Sequence, residues 1–132
     1  MPTMASITVK ANDGTTDVVY AALAGSSGET IPAKWRNDAA GGIAAFRKQA
    51  KVTAKAGAGS KRVVETLFVV PIVRTDTNGN TTQVSAHTVR VISTLDFSDS
   101  QSVIDEAVSQ GVNFAASALV KNANKEGYAP RG

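Results

Sequence analysis

Arg47, Gln49, Lys51, Thr53 and Lys55 occupy every second position of one short stretch. Ala50, Val52 and Ala54 fall between them, and Phe46 precedes them. In an extended chain the polar set projects from one face and the apolar set from the other. Lys48 alone breaks the apolar side. Ala and Lys also form helices well, but the length of the alternation and the Gly-rich turns around it favour a strand. On a strand these side chains recur about 7 Å apart, twice the rise per residue. Phosphates along a folded RNA strand recur at a comparable distance, and Gln and Thr can bond base edges or 2′-hydroxyls. Thr88 and Arg90 on a later alternating strand would add to this face, and Lys61 belongs to the same basic span.

Other chemistry is sparse. Gly57-Ala58-Gly59-Ser60-Lys61 lacks the G-x-x-x-x-G-K-[ST] spacing of a phosphate loop and leads into a strand, not a helix. His87 is the single histidine and sits in an alternating strand, which fits a core or surface role. Asp76, Asp96, Asp99, Asp105 and Glu106 have no metal-ligand spacing, and no Ser has an evident base partner. No enzyme, metal site or cofactor is expected. The lack of Cys excludes disulfides, zinc–thiolate sites and thiol catalysis.

The 132 residues amount to one domain. Aromatics make up 5% of them, so the core must rest on small and β-branched residues. A core that thin is completed most readily by association with further copies. The net charge of +3 hides a block structure. Residues 34–62 hold Lys34, Arg36, Arg47, Lys48, Lys51, Lys55, Lys61 and Arg62 against Asp38 alone. Such a span is either a solvated face or a polyanion contact. No apolar signal core stands near the N-terminus and no run is long enough to span a membrane, so a soluble protein made in a cytoplasm is expected.

The elements that would position the stripe follow from periodicity. Residues 7–23 read as a hairpin around Asp13-Gly14. Thr30 to Arg36 reads as a short strand, and Ala39-Ala40-Gly41-Gly42 as a turn. Lys61 to Arg74 is the most β-rich stretch, with Pro71 demanding a bulge or an edge. Asn78-Gly79 carries a type I′ hairpin signal, and Val84 to Leu95 returns as a strand. Apolar residues from Val103 to Val120 then recur at helical spacing, with Ser98 or Asp99 as N-cap and Gly111 as a kink or break. The expected class is α+β: an N-terminal hairpin (1–24), an antiparallel five-stranded sheet (30–95) and one or two C-terminal helices (98–124) in a single domain.

In order and in small motifs the chain resembles the coat proteins of single-stranded RNA bacteriophages, the levivirus-type family. The residues that carry the resemblance are the Asp13-Gly14 hairpin and Ala33-Lys34-Trp35-Arg36, followed by Phe46 to Thr53 and a Gly/Ala/Ser loop. Lys61-Arg62-Val63-Val64 then runs into Val69-Val70-Pro71-Ile72-Val73, ahead of the terminal helices. The resemblance implies an intertwined homodimer with a ten-stranded sheet, an icosahedral shell, packaging of single-stranded RNA and, as a further role, translational repression through an RNA hairpin. It implies a virion protein assembled in the bacterial cytoplasm, with no membrane partner. By position, Arg47, Gln49, Lys51 and Thr53 would line the RNA face with Thr88 and Arg90. Glu65 and Leu67 would fall beside them as poor RNA ligands. Either a bulge shifts the register and brings Arg62 and Thr66 inward, or the hairpin readout differs. The alternative to a coat protein is a small RNA-binding regulatory module that forms no shell.

Overall fold

The computed structural model describes residues 2–39 and 42–132. Ala40 and Gly41 of the expected turn lie outside these, as does Met1. Six strands are followed by two helices: β1 (Ile7–Lys10), β2 (Asp17–Ala24), β3 (Ala33–Arg36), β4 (Gln49–Ala56), β5 (Lys61–Thr75), β6 (Thr81–Asp96), α1 (Gln101–Ala115) and α2 (Ala118–Glu126). The strands lie in chain order and every neighbouring pair is antiparallel. The expected sheet region, 30–95, holds four strands, β3 to β6, and β2 of the hairpin supplies the fifth. The sixth strand arises because β2 pairs with β1 on one side and β3 on the other, so the hairpin continues the sheet.

Local chemistry sets the boundaries. Phe46 does not start β4, because Ala44–Phe46 closes a 3₁₀ turn first. The strand opens at Gln49, after the Asn37 N–H bonds the Lys48 carbonyl at 2.9 Å. β3 is shorter than expected: Pro32 has no N–H, and Thr30 before it takes φ 65°, outside strand geometry. Pro71 pairs within β5, and the register shift follows at Ile72/Val73. The β5–β6 tip is not type I′. Only Gly79 there has positive φ (83°), while Asp76 Oδ1 accepts from the N–H groups of Asn78 and Asn80 at 2.9 Å each. The Asp76 carboxylate thus replaces the backbone geometry a two-residue loop would need.

Helix α1 begins after both expected caps, with Ser100 at the N-cap, two residues past Ser98 and one past Asp99. Asp96 holds the Ser98 N–H and hydroxyl instead, and Asp99 accepts the Ser100 N–H at 2.7 Å. The helices part at Ser117, not at Gly111. Gly111 stays helical, since one glycine costs a helix only about 1 kcal/mol, while extended Ser117 starts α2.

One sheet face is apolar. Its centre is Trp35, flanked by Ala22 and Ala50, with Tyr20 packed edge-on against Phe68 at 5.5 Å. The Trp35 indole N–H donates to the Ala5 carbonyl at 2.8 Å, tying the N-terminal segment over this face. Tyr20, Trp35 and Ile104 are the buried hydrophobic residues among those described. The helices leave Phe114 (72% exposed) and Leu119 (63%) open. Apart from a bond from Lys125 Nζ to Asn12 Oδ1 at 2.6 Å, the helices meet their own sheet chiefly along β6. The folded chain exposes 9562 Å², where a compact monomer of 13.6 kDa exposes about 6,600 Å².

Candidate nucleic-acid interface

The opposite sheet face carries the stripe. Gln49, Lys51, Thr53 and Lys55 sit on alternate positions of β4 and therefore share a side. Directly opposed residues of antiparallel strands also share a face. From β5, Val69, Leu67, Glu65 and Val63 lie against those four in turn. From β6, Thr88 stands opposite Val69 and Arg90 opposite Leu67. Lys61 opens β5 opposite Asp96. Seven of the eight sequence-derived residues thus occupy one strand face, on three strands.

Arg47 stands apart from the other seven. It lies before β4, where its guanidinium meets Asp38 Oδ1 and the Gly42 carbonyl, both at 2.7 Å. Asp38 also holds Arg36, so one carboxylate serves two guanidinium groups. Their hydrogen bonds keep the Asp38 carboxyl below its ordinary range. Arg90 is engaged as well, with its Nε 3.0 Å from Glu65 Oε1. The β4–β5 register runs unbroken from Gln49/Val69 to Ala56/Arg62. No bulge turns Arg62 and Thr66 inward, so Glu65 and Leu67 stay on the basic face. Arg62 lies on the other face and binds Glu29, whose second oxygen accepts the Ala56 N–H at 2.7 Å.

Lys34 and Arg36 are two cations absent from the sequence-derived set. Both face the stripe, Lys34 opposite Lys51 and Arg36 opposite Gln49. Their signal was the period-two alternation in Ala33-Lys34-Trp35-Arg36, which puts both cations on the side away from the indole.

No protein-family model and no curated protein sequence matches the chain. Solved structures do match, along its whole length. The virus-like particle of Beihai levi-like virus 21 has a subunit that superposes with a TM-score of 0.80, covering 99% of this chain and 100% of its own at 17% identity. The virus-like particle of bacteriophage NT-214 gives 0.81, with 98% and 100% covered at 11% identity. The chain has the fold of levi-like phage capsid subunits. The bacteriophage GA capsid protein shares it at a TM-score of 0.67, with 96% of each chain covered and 14% identity. At these identities the capsid fold persists through its pattern of strands and helices, not through shared side chains.

The loops of this capsid fold carry carboxylates that answer to pH. Asp13 is lowered from 3.8 to about 2 by the Thr16 hydroxyl and the backbone N–H groups of Thr16 and Thr15. Asp96 falls equally, to about 2, through Ser60 and Ser98. Glu29 is lowered by Arg62 and the Ala56 N–H. A carboxyl whose folded pKa is depressed contributes stability above its unfolded pKa and loses it as pH falls through the folded value. Acid titration followed by circular dichroism should show stability level above pH ~5 and falling from there toward pH ~2. A flat profile across that window would show that these bonds do not persist in solution.

Proposed function

We propose that this chain is a structural coat protein: it pairs into an intertwined homodimer, closes into an icosahedral shell and packages single-stranded RNA. The observation that carries this reading is the surface left open. The excess over a compact monomer is about 3,000 Å² per chain, far above the ~800 Å² per partner of a standard interface and in the range of obligate assemblies. The apolar residues of α1 and α2 and the free side of β6 are the parts left uncovered. β6 runs for 16 residues with no neighbour beyond it, and a second β6 across a two-fold axis satisfies its unpaired backbone groups. Helices laid over a partner's sheet then complete a core the single chain lacks.

RNA is the partner that suits the polar face. Its cations come from four strands and its rings are few, so charge, hydrogen bonding and shape carry the contact rather than base stacking. The same face would hold an operator hairpin and so repress translation. The virion is the site of action and the host cytoplasm the site of assembly. No described helix is long and apolar enough to cross a membrane.

Expression of the full chain followed by electron microscopy and nuclease treatment is the test. Closed particles with protected RNA are expected. A monodisperse monomer at high concentration would overturn the coat-protein reading, and an RNA-binding dimer without shells would favour the regulatory module.

A further inference from the structure

The geometry points to the Lys34–Lys51 pair as the primary phosphate subsite of the polar face, which rests on the RNA-binding reading above. Lys34 on β3 and Lys51 on β4 are directly opposed. Their Cβ atoms are therefore about 5 Å apart on the same side of the sheet, and like charges so placed repel. The flanks offer no relief. Beyond Lys34 stands Ala24 of β2, and beyond Lys51 stands Leu67 of β5. Glu65 lies diagonal to Lys51, but its carboxylate is engaged by Arg90. Asp38, the other nearby acid, is shared between Arg36 and Arg47. Among the described residues no hydrogen bond or ion pair engages either ammonium group.

The cations of the strand face thus differ in their surroundings. Arg36 and Arg90 already have carboxylate partners, and a phosphate must displace or share these. Lys61 stands opposite Asp96, and Lys55 stands singly opposite Val63. Lys34 and Lys51 are the two cations of this face that oppose one another. A phosphodiester oxygen between them accepts from both ammonium groups and turns a repulsive cross-strand pair into a bridged one. Gln49 and Thr53, two residues to either side of Lys51, are placed to bond the adjoining sugar or base edge.

The test compares charge-matched double variants of the full chain binding a short fluorescent single-stranded RNA across a salt series. Lys34→Gln with Lys51→Gln should weaken binding about tenfold or more and flatten the log–log salt slope by about 0.7 for each lysine. Lys121→Gln with Arg131→Gln, at the C-terminal end, should leave both nearly unchanged. Without RNA, Lys34→Gln alone should melt no lower than the parent, because it removes a repulsion. Lys34→Arg with Lys51→Arg should retain binding. If Arg36→Gln with Arg90→Gln weakens binding more than the lysine pair does, the subsite is wrong while the RNA face stands. If none of these variants moves affinity or slope, the RNA face itself is wrong.

Discussion

Replacing Trp35 by Ala should destabilise the protein by about 3–5 kcal/mol, the usual cost of deleting a buried indole. Trp35 is one of three buried hydrophobic residues among those described, and it alone fills the space between two alanines. Ala22 and Ala50 have no reach to refill it, so the cavity term adds fully to the lost transfer energy. Its N–H bond to Ala5 also anchors the segment that covers the face. Trp35→Phe keeps most of the ring and loses that bond, and should cost about 1 kcal/mol plus a smaller cavity term. Denaturant midpoints at one fixed protein concentration give both values, since the stability of the proposed dimer would depend on concentration. Equal midpoints for the Ala variant and the parent would place the folding core elsewhere, against the burial seen here.

The second large effect concerns assembly rather than folding. Val89 on β6 is 60% exposed in the single chain and lies on the apolar face. In the proposed dimer this region is covered. Val89→Asp leaves a carboxylate that water solvates in the free chain and that assembly must bury unpaired, a cost of several kcal/mol. Particles should be lost, and gel filtration with light scattering should show free subunits with circular dichroism close to the parent's. Val89→Thr should lower particle yield only in part. Parent-like particles from the Asp variant would exclude β6 from the interface.

Much of this fold was legible because β-structure writes itself in alternation. The Gln49–Ala56 stretch shows which side chains share a face whatever it pairs with, and the Val-rich run around Phe68 announces a long neighbour. The partner across the sheet was harder to read. Lys34 opposite Lys51 depends on how many residues the turn before β4 consumes, and the 3₁₀ turn at Ala44–Phe46 shifts that count. The pairing of Arg47 with Asp38 bridges nine positions through that same turn. Turn types misled for a related reason: Asn78-Gly79 favours type I′ locally, yet the Asp76 carboxylate captures the loop first. The helix break was not legible either: Gly111 stays helical, and the chain divides where Ser117 turns extended without a side-chain cap.

The long bare margin of β6 also sets a race. In the proposed dimer a second copy covers this margin; until then it will accept any extended segment, and extended, Val-rich segments are what this chain has most of. Correct mating and cross-β growth start from the same unpaired groups. Folding yield is therefore a question of timing. If the proposed dimer forms, the subunit needs its own kind nearby soon after synthesis, and a burst of translation from one message would supply it. Slow, dilute production would leave each new chain waiting with its template open.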